Sequence, residues 1–226
     1  MATTTRAVKD TLYEQFARIG KAVANPKRIE LLDLLCQGER SVEALAGAAD
    51  MTVKNTSAQL KELRVARLVE TRKQGTRVYY RLADEAVCGL FFTLRDLARA
   101  RLTEVEQIVR DYFEARDDLE PVRREDLLRR ARSGDVVVLD VRPAEEYEAG
   151  HIPGAISVPF PDLENCLAEL PEGAEVVAYC RGPYCVLAPE AIVRLRARGF
   201  AARRLEDGFP EWRQAGLPVA TGPKER

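Results

Sequence analysis

"VVAYCRGPYCV", residues 176–186, decides the class of the second half of this chain. Its first four residues form an apolar run without alternation, which suits a strand buried on both faces of a parallel sheet. Gly182-Pro183 breaks the run, and VLAPEAIVRLRARG (186–199) follows with helical spacing. Cys180 therefore falls where a strand ends and a loop runs into a helix, the sheet edge at which ligands bind in open α/β folds. VVVLDV (136–141) is a second such run, ARRLE (202–206) is a candidate third strand, and residues 123–132 read as a helix. This alternation predicts an α/β domain whose parallel sheet is covered by helices on both faces.

The loop itself leaves four readings open: a metal clamp, a disulfide, a nucleophile, or two thiols that merely pack. The chemistry of its neighbours favours a reactive Cys180. Backbone N–H groups of residues 181–185 can curl around the sulfur, and the next helix presents its positive end, so the thiolate is favoured. Arg181 adds a positive charge, Gly182 permits close backbone approach, and Pro183 and Tyr184 complete a six-residue loop ending at Cys185. The same cradle suits an anion such as thiosulfate. A metal clamp lacks further ligands nearby, and no cofactor is called for.

Composition bounds the rest. The chain has 226 residues, 46% apolar and 31% charged, with net charge −1. That length accommodates two domains of about 100 residues each. No apolar run approaches the ~18 residues of a membrane span. The opening MATTTRAVKDTLYEQF lacks the apolar stretch of a signal peptide, so a cytoplasmic location without membrane attachment is expected. Five cysteines in that compartment are expected to be reduced, catalytic or redox-active rather than a disulfide framework. Charge is unevenly spread: residues 51–82 carry a net +6, a block suited to a polyanion.

That block lies in a helical first half. Asn25-Pro26 opens a segment with an apolar face of Ile29, Leu31, Leu32, Leu34 and Leu35, closed by Gly38. Ser41 is placed to cap SVEALAGAA, and Thr52 to cap TVKNTSAQLKELRVARL. In the latter, Val53, Thr56, Leu60 and Leu63 form the expected inward stripe, leaving Lys54, Asn55, Ala58, Gln59 and Lys61 outward. Two short helices joined by a tight turn, the second rich in polar and basic residues, predict a helix-turn-helix. VETRKQG and TRVYYRLA (69–83) then predict a β-hairpin with a basic tip. Residues 84–115 are expected to form one long helix, with Leu90, Leu94, Leu97, Leu102, Val105, Ile108, Val109 and Phe113 along one face. So much apolar surface on a terminal helix points to pairing with a second copy.

Over about residues 8–100 the chain resembles the ArsR/SmtB family of winged-helix repressors, through "ANPKRIELLDLL" and the stretch from Ser41 to Asp84. The resemblance implies a homodimer binding double-stranded operator DNA. Lys54, Asn55, Ser57, Gln59 and Lys61 would meet the groove or backbone, and Arg72, Lys73 and Arg77 would act from the wing. Metal-sensing members carry a Cys-x-Cys-type cluster near the third helix, or His and carboxylate ligands on the last helix; this chain has SVEALAGAA at the first place and no histidine on the last helix, its sole histidine being His151, so a metal site is not expected. Cys36 and Cys88 are either small buried hydrophobes or a thiol pair whose oxidation or persulfidation shifts the dimer.

Over about residues 119–219 the chain resembles the rhodanese family. The residues that carry this are "VVVLDVRPAEEYEAGHIPGAISVP", "YCRGPYC" and "RRLEDGFPEWRQAGLPV". The resemblance implies Cys180 as a nucleophile carrying sulfane sulfur as a persulfide, with Asp140 and Arg142 bracing the site and His151 fixing a turn. Two positions depart from the family: Cys185 replaces the usual Arg or Thr, and Asp207 the first Gly of a Gly-Gly pair. Cys185 either packs under the loop or resolves the persulfide as a disulfide or trisulfide; Cys166 reads as an ordinary helix residue. The expected organisation is a DNA-binding and dimerisation domain at 1–116, a rhodanese-like domain at 119–219, and a tail at 220–226. The expected function is a repressor responsive to reactive sulfur, donated by thiosulfate or a low-molecular-weight persulfide. The alternative is an active sulfurtransferase whose DNA-binding domain answers another signal.

Overall fold

The computed structural model describes residues 5–114, 121–167, 170–171 and 173–223. The chain divides into two compact units, Met1–Arg95 and Asp96–Arg226. The linker expected at 116–119 lies outside the described residues.

The first unit runs α1 (Thr5–Val23), α2 (Pro26–Cys36), β1 (Arg40–Ser41), α3 (Val42–Ala48), α4 (Val53–Val65), β2 (Val69–Gln74) and β3 (Arg77–Leu82), then enters α5 (Glu85–Arg101). Its helices start where polar caps stand. The side chains of Asn25, Ser41 and Thr52 accept from the N–H groups of Arg28, Ala44 and Asn55 at 3.1, 3.2 and 3.2 Å. Leu31, Leu32, Leu45, Leu60, Leu63 and Leu68 form the core between the helices and the sheet. The antiparallel sheet has order β1-β3-β2, and Gly75, at φ +60°, supplies the left-handed residue of the hairpin turn.

Two expectations change here. Thr56, Leu60 and Leu63 are buried, but Val53 is exposed, because it stands at the first helical position, beyond the core's edge. The long helix expected over 84–115 breaks at Leu102, whose φ of −108° and ψ of 108° are extended. α6 (Thr103–Ile108) follows, then a π-helical turn over Val109–Glu114. No Gly or Pro marks the break, and the apolar spacing runs through it unchanged.

The second unit contains α7 (Arg124–Ser133), β4 (Val137–Asp140), α8 (Ala144–Ala149), β5 (Ile156–Ser157), α9 (Leu163–Cys166), β6 (Glu175–Tyr179), α10 (Leu187–Ala197), β7 (Ala201–Arg204) and α11 (Phe209–Gln214). The strands are parallel in order β5-β4-β6-β7, and Val122 adds a parallel bridge to Leu205. Alternate residues of β6 feed two cores. Val176 and Ala178 join Ala191, Ile192 and Leu195 on one face; Val177 and Tyr179 join Leu127, Phe209 and Trp212 on the other. That double burial is why the strand is apolar at each position from 176 to 179. No described helix is long and apolar enough to cross a membrane.

Candidate functional site: a cysteine loop and a basic helix–hairpin surface

Cys180 follows directly on β6 and is 1% exposed. It is joined to Cys185 by a disulfide across a Cα–Cα distance of 6.2 Å. Cys36 and Cys88 are likewise joined, with Cα atoms 5.7 Å apart. Both pairs are thus disulfides in this structure, and Cys166 stands outside a disulfide. Strand-end and helix-end geometry brings each pair within bridging reach; the 52-residue separation hides the Cys36–Cys88 pair, whereas the spacing of Cys180 and Cys185 had left a disulfide open.

The loop turns at Gly182-Pro183-Tyr184, where the Cys185 N–H donates to the Gly182 carbonyl at 3.1 Å. Pro183 has no N–H, so neither residue offers one to an anion in this form. α10 begins two residues after Cys185 with no side-chain cap, leaving the positive end of an 11-residue helix at the loop. Arg181 is not aimed at the sulfur. Its guanidinium bonds Glu146 Oε1 at 2.6 and 2.8 Å, and Glu146 on α8 is 1% exposed. Glu146, missed in the sequence, is the second Glu of the Glu-Glu-Tyr run on that short helix.

Asp140, the last residue of β4, and Arg142, two residues further on, are fully buried. Arg142 Nε donates to Asp140 Oδ1 at 2.9 Å, and its Nη2 to the Gly150 carbonyl at 2.7 Å. Its guanidinium also lies 4.4 Å from the Phe209 ring centre. Burial opposes the Arg142 charge, but the Asp140 charge and hydrogen bonds outweigh it and leave the pKa raised. Burial, and then the Asp140 charge, push the Tyr179 phenol well above its usual range. It therefore stays protonated and donates to Asp140 Oδ2 at 2.6 Å. His151 is buried, its Nδ1 2.8 Å from the Tyr147 carbonyl and its ring stacked on Tyr147 at 3.6 Å. Its backbone pairs with Ala220.

Gly208 closes the loop from the other side. A Cβ there would stand 2.2 Å from the Gly182 nitrogen and 2.4 Å from the Arg181 carbonyl carbon. The Phe209 N–H donates to the Cys180 carbonyl at 3.1 Å. Asp207, in the unusual position before it, pairs with Arg124 at 3.2 Å. Sequence reading noticed Asp207 but not the space its neighbour must leave empty.

In the first unit, Lys54, Asn55 and Lys61 are exposed on α4, and Ser57 is half-buried. Gln59 is held on both sides: Arg28 Nη1 donates to its Oε1 at 3.1 Å, and its Nε2 donates to Asn55 Oδ1 at 3.3 Å. Arg28 also bonds the carbonyls of Ala22 and Lys21, tying α1 and α2 to α4. On the hairpin, Lys73 and Arg77 are exposed at the tip, while Arg72 bonds Glu39 at 2.6 Å and lies over Tyr79. Cys36 and Cys88 are buried with Phe92, linking the end of α2 to α5. α1 exposes Val8, Leu12, Tyr13 and Phe16, an apolar stripe spaced by fours that sequence reading passed over.

Fold and site together define a winged helix-turn-helix DNA-binding module joined to a rhodanese-like α/β module. Residues 25–71 match the family model described as "Bacterial regulatory protein, arsR family", and residues 123–215 match "Rhodanese-like domain". An HTH-type transcriptional regulator of Mycobacterium tuberculosis is 49% identical over 214 residues, covering 95% of this chain and 94% of that one. The chain belongs to the ArsR family of HTH-type transcriptional regulators and carries a fused rhodanese-like domain. A tRNA sulfurtransferase of Desulfurococcus amylolyticus is 41% identical over 86 residues, 37% of this chain and 16% of that one. The solution structure of a homodimeric winged helix-turn-helix domain from Mycobacterium bovis is 46% identical, covering 45% of this chain and 93% of that one, with a TM-score of 0.41.

Proposed function

We propose that this regulator is a cytoplasmic, homodimeric repressor whose rhodanese-like domain takes sulfane sulfur onto Cys180 as a persulfide. The observation that carries the reading is the placement of Cys180: a strand-end thiol heading a six-residue loop, backed by the uncapped start of α10. Thiosulfate or a low-molecular-weight persulfide is the donor. With thiosulfate, the Cys180 thiolate attacks the outer sulfur, an S–S bond forms, and sulfite leaves with the electron pair of the broken bond. Operator DNA is bound by α4 through Lys54, Asn55, Ser57 and Lys61, and by the hairpin tip through Lys73 and Arg77. Gln59, bonded to Asn55, and Arg72, bonded to Glu39, complete the contact set of α4 and the hairpin. The Cys36–Cys88 pair, joining α2 to α5, is the second thiol element placed to alter the DNA-binding unit.

The test is operator binding by the reduced full chain before and after thiosulfate or cysteine persulfide, beside Cys180→Ser. A shift in affinity that Cys180→Ser abolishes supports the reading; an unchanged response in Cys180→Ser overturns it. The similarity to a tRNA sulfurtransferase favours a second reading, turnover of sulfur to an acceptor. Multiple turnovers with cyanide, unaccompanied by any change in operator affinity, would establish that reading instead.

A further inference from the structure

The loop that would carry the persulfide holds a second sulfur in bonding reach. We infer that Cys185 is a resolving thiol: it converts the Cys180 persulfide into the Cys180–Cys185 disulfide and releases the sulfane sulfur as hydrosulfide. This rests on the reading that Cys180 accepts sulfur.

The structure supports it at four points. The two sulfurs are joined, across five residues of sequence, with Cα atoms 6.2 Å apart. The intervening turn is fixed by the Cys185 N–H to the Gly182 carbonyl. Gly208 packs against the backbone of Arg181 and Gly182, and Phe209 N–H holds the Cys180 carbonyl, so the turn is supported from outside the loop. Cys185 and Cys166 both pack against the core that contains Cys180, and of the two it is Cys185 that is joined to Cys180.

The step balances without an external oxidant. Deprotonated Cys185 attacks Cys180 Sγ, the inner sulfur of the persulfide. The Cys185–Cys180 S–S bond forms as the bond to the outer sulfur breaks, and that sulfur departs as hydrosulfide with the electron pair. The sulfane sulfur is reduced, and the two thiols are oxidised. Hydrosulfide is the weaker base of the possible leaving groups, so attack at the inner sulfur proceeds readily. The product masks the nucleophile, since Cys180 is 1% exposed in the disulfide form. Each protomer therefore responds once and waits for a dithiol reductant to reset it. This makes the domain a stoichiometric persulfide recorder rather than a carrier that hands sulfur on.

Thiosulfate separates the two steps, because loading releases sulfite and resolution releases sulfide. The pre-reduced full chain is exposed to thiosulfate, with cysteine persulfide as a parallel arm, and its peptides are mapped by mass. Wild type is expected to release one sulfide per chain and to end with the Cys180–Cys185 peptide short of two hydrogens. Cys185→Ser, with Cys185→Ala as a check on folding by Trp212 fluorescence, is expected to release sulfite, keep one added sulfur on Cys180 and release no sulfide. If wild type keeps the added sulfur and releases no sulfide, the inference is overturned while sulfur uptake stands. If neither protein gains sulfur from either donor, sulfur uptake and the inference both fall.

Discussion

Single residues decide whether the cysteine loop can exist. Gly208 has an ordinary φ of −111°, so its constraint is space rather than backbone conformation. A methyl group would overlap the backbone of residues 181 and 182, which cannot swing aside as a side chain tip could. Gly208→Ala should therefore lose sulfur loading of Cys180, at a stability cost at or above the ~3 kcal/mol upper end of ordinary overpacking. Peptide mass mapping after thiosulfate and urea unfolding check the two halves of that statement. Asp140 presents the opposite case, a charge that must be present. Removing it leaves Arg142 buried and charged, so Asp140→Asn should destabilise the second unit by about 3–5 kcal/mol. Trp212 is the chain's single tryptophan and is fully buried in that unit, so its fluorescence reports this unfolding without signal from the first. A midpoint shift below about 1 kcal/mol would show that Arg142 draws its stability from the aromatic rings and the Gly150 carbonyl instead.

Elements are tied together by partly exposed ion pairs whose pH dependence can be signed. Arg130 on α7 donates to Glu175 at the start of β6 at 2.7 and 3.0 Å. The hydrogen bond from Arg130, opposed by burial and aided by its charge, holds the Glu175 pKa below the usual range. A lowered folded-state pKa contributes stability above the unfolded value of about 4.3 that is lost as pH falls through the folded one. Glu175→Gln should thus cost at most about 1 kcal/mol near neutrality, and the variant should lose part of the wild-type acid slope below about pH 4. Tm measured by Trp212 fluorescence across pH 3–7 tests it; parallel wild-type and variant curves on the acid side would refute it. Elements also show what a sequence can reveal. Caps at Asn25, Ser41 and Thr52, the hairpin, and the strands within the apolar runs 136–141 and 176–179 were legible, because local chemistry alone sets them. β1 and β5 have two residues each and exist only through their partners β3 and β4, so no local pattern announces them. The break at Leu102 left no Gly, Pro or cap as a mark. At the site, Cys180, Asp140 and Arg142 were readable from motif and strand end. The Glu146–Arg181 pair and the Gly208 wedge were not, since each depends on side chains or backbone about 26 to 35 positions away closing on the loop.

At the scale of the whole molecule, the proposed pairing of two copies can be tested on what the helices leave uncovered. Val8, Leu12 and Phe16 stand one helical turn apart on α1 and are 48%, 51% and 63% exposed. Leu97 on α5 and Ile108 on α6 are 54% and 61% exposed. Scattered exposed leucines are ordinary in soluble folds, but a stripe at spacing four on a terminal helix is the pattern of a surface that another helix covers. The sequence expectation assigned pairing to 84–115 alone; the α1 stripe adds a second surface from the opposite end of the DNA-binding unit's sequence. An isologous interface uses each surface twice, so one charge placed on it counts twice in the dimer. Phe16→Asp and Leu97→Asp, singly, should each shift the full chain toward monomer at concentrations where wild type sediments as a dimer. Neither residue packs into a core, so Trp212 fluorescence and helical circular dichroism should stay unchanged. Operator affinity should fall with dimer content, because a monomer reaches one half-site where the dimer reaches two. Its salt dependence should flatten as well, since fewer phosphates are neutralised per binding event. If Phe16→Asp leaves the dimer intact while Leu97→Asp dissolves it, pairing runs through α5 and the α1 stripe serves another purpose. If both proteins remain dimers with wild-type operator affinity, the copies meet on neither surface.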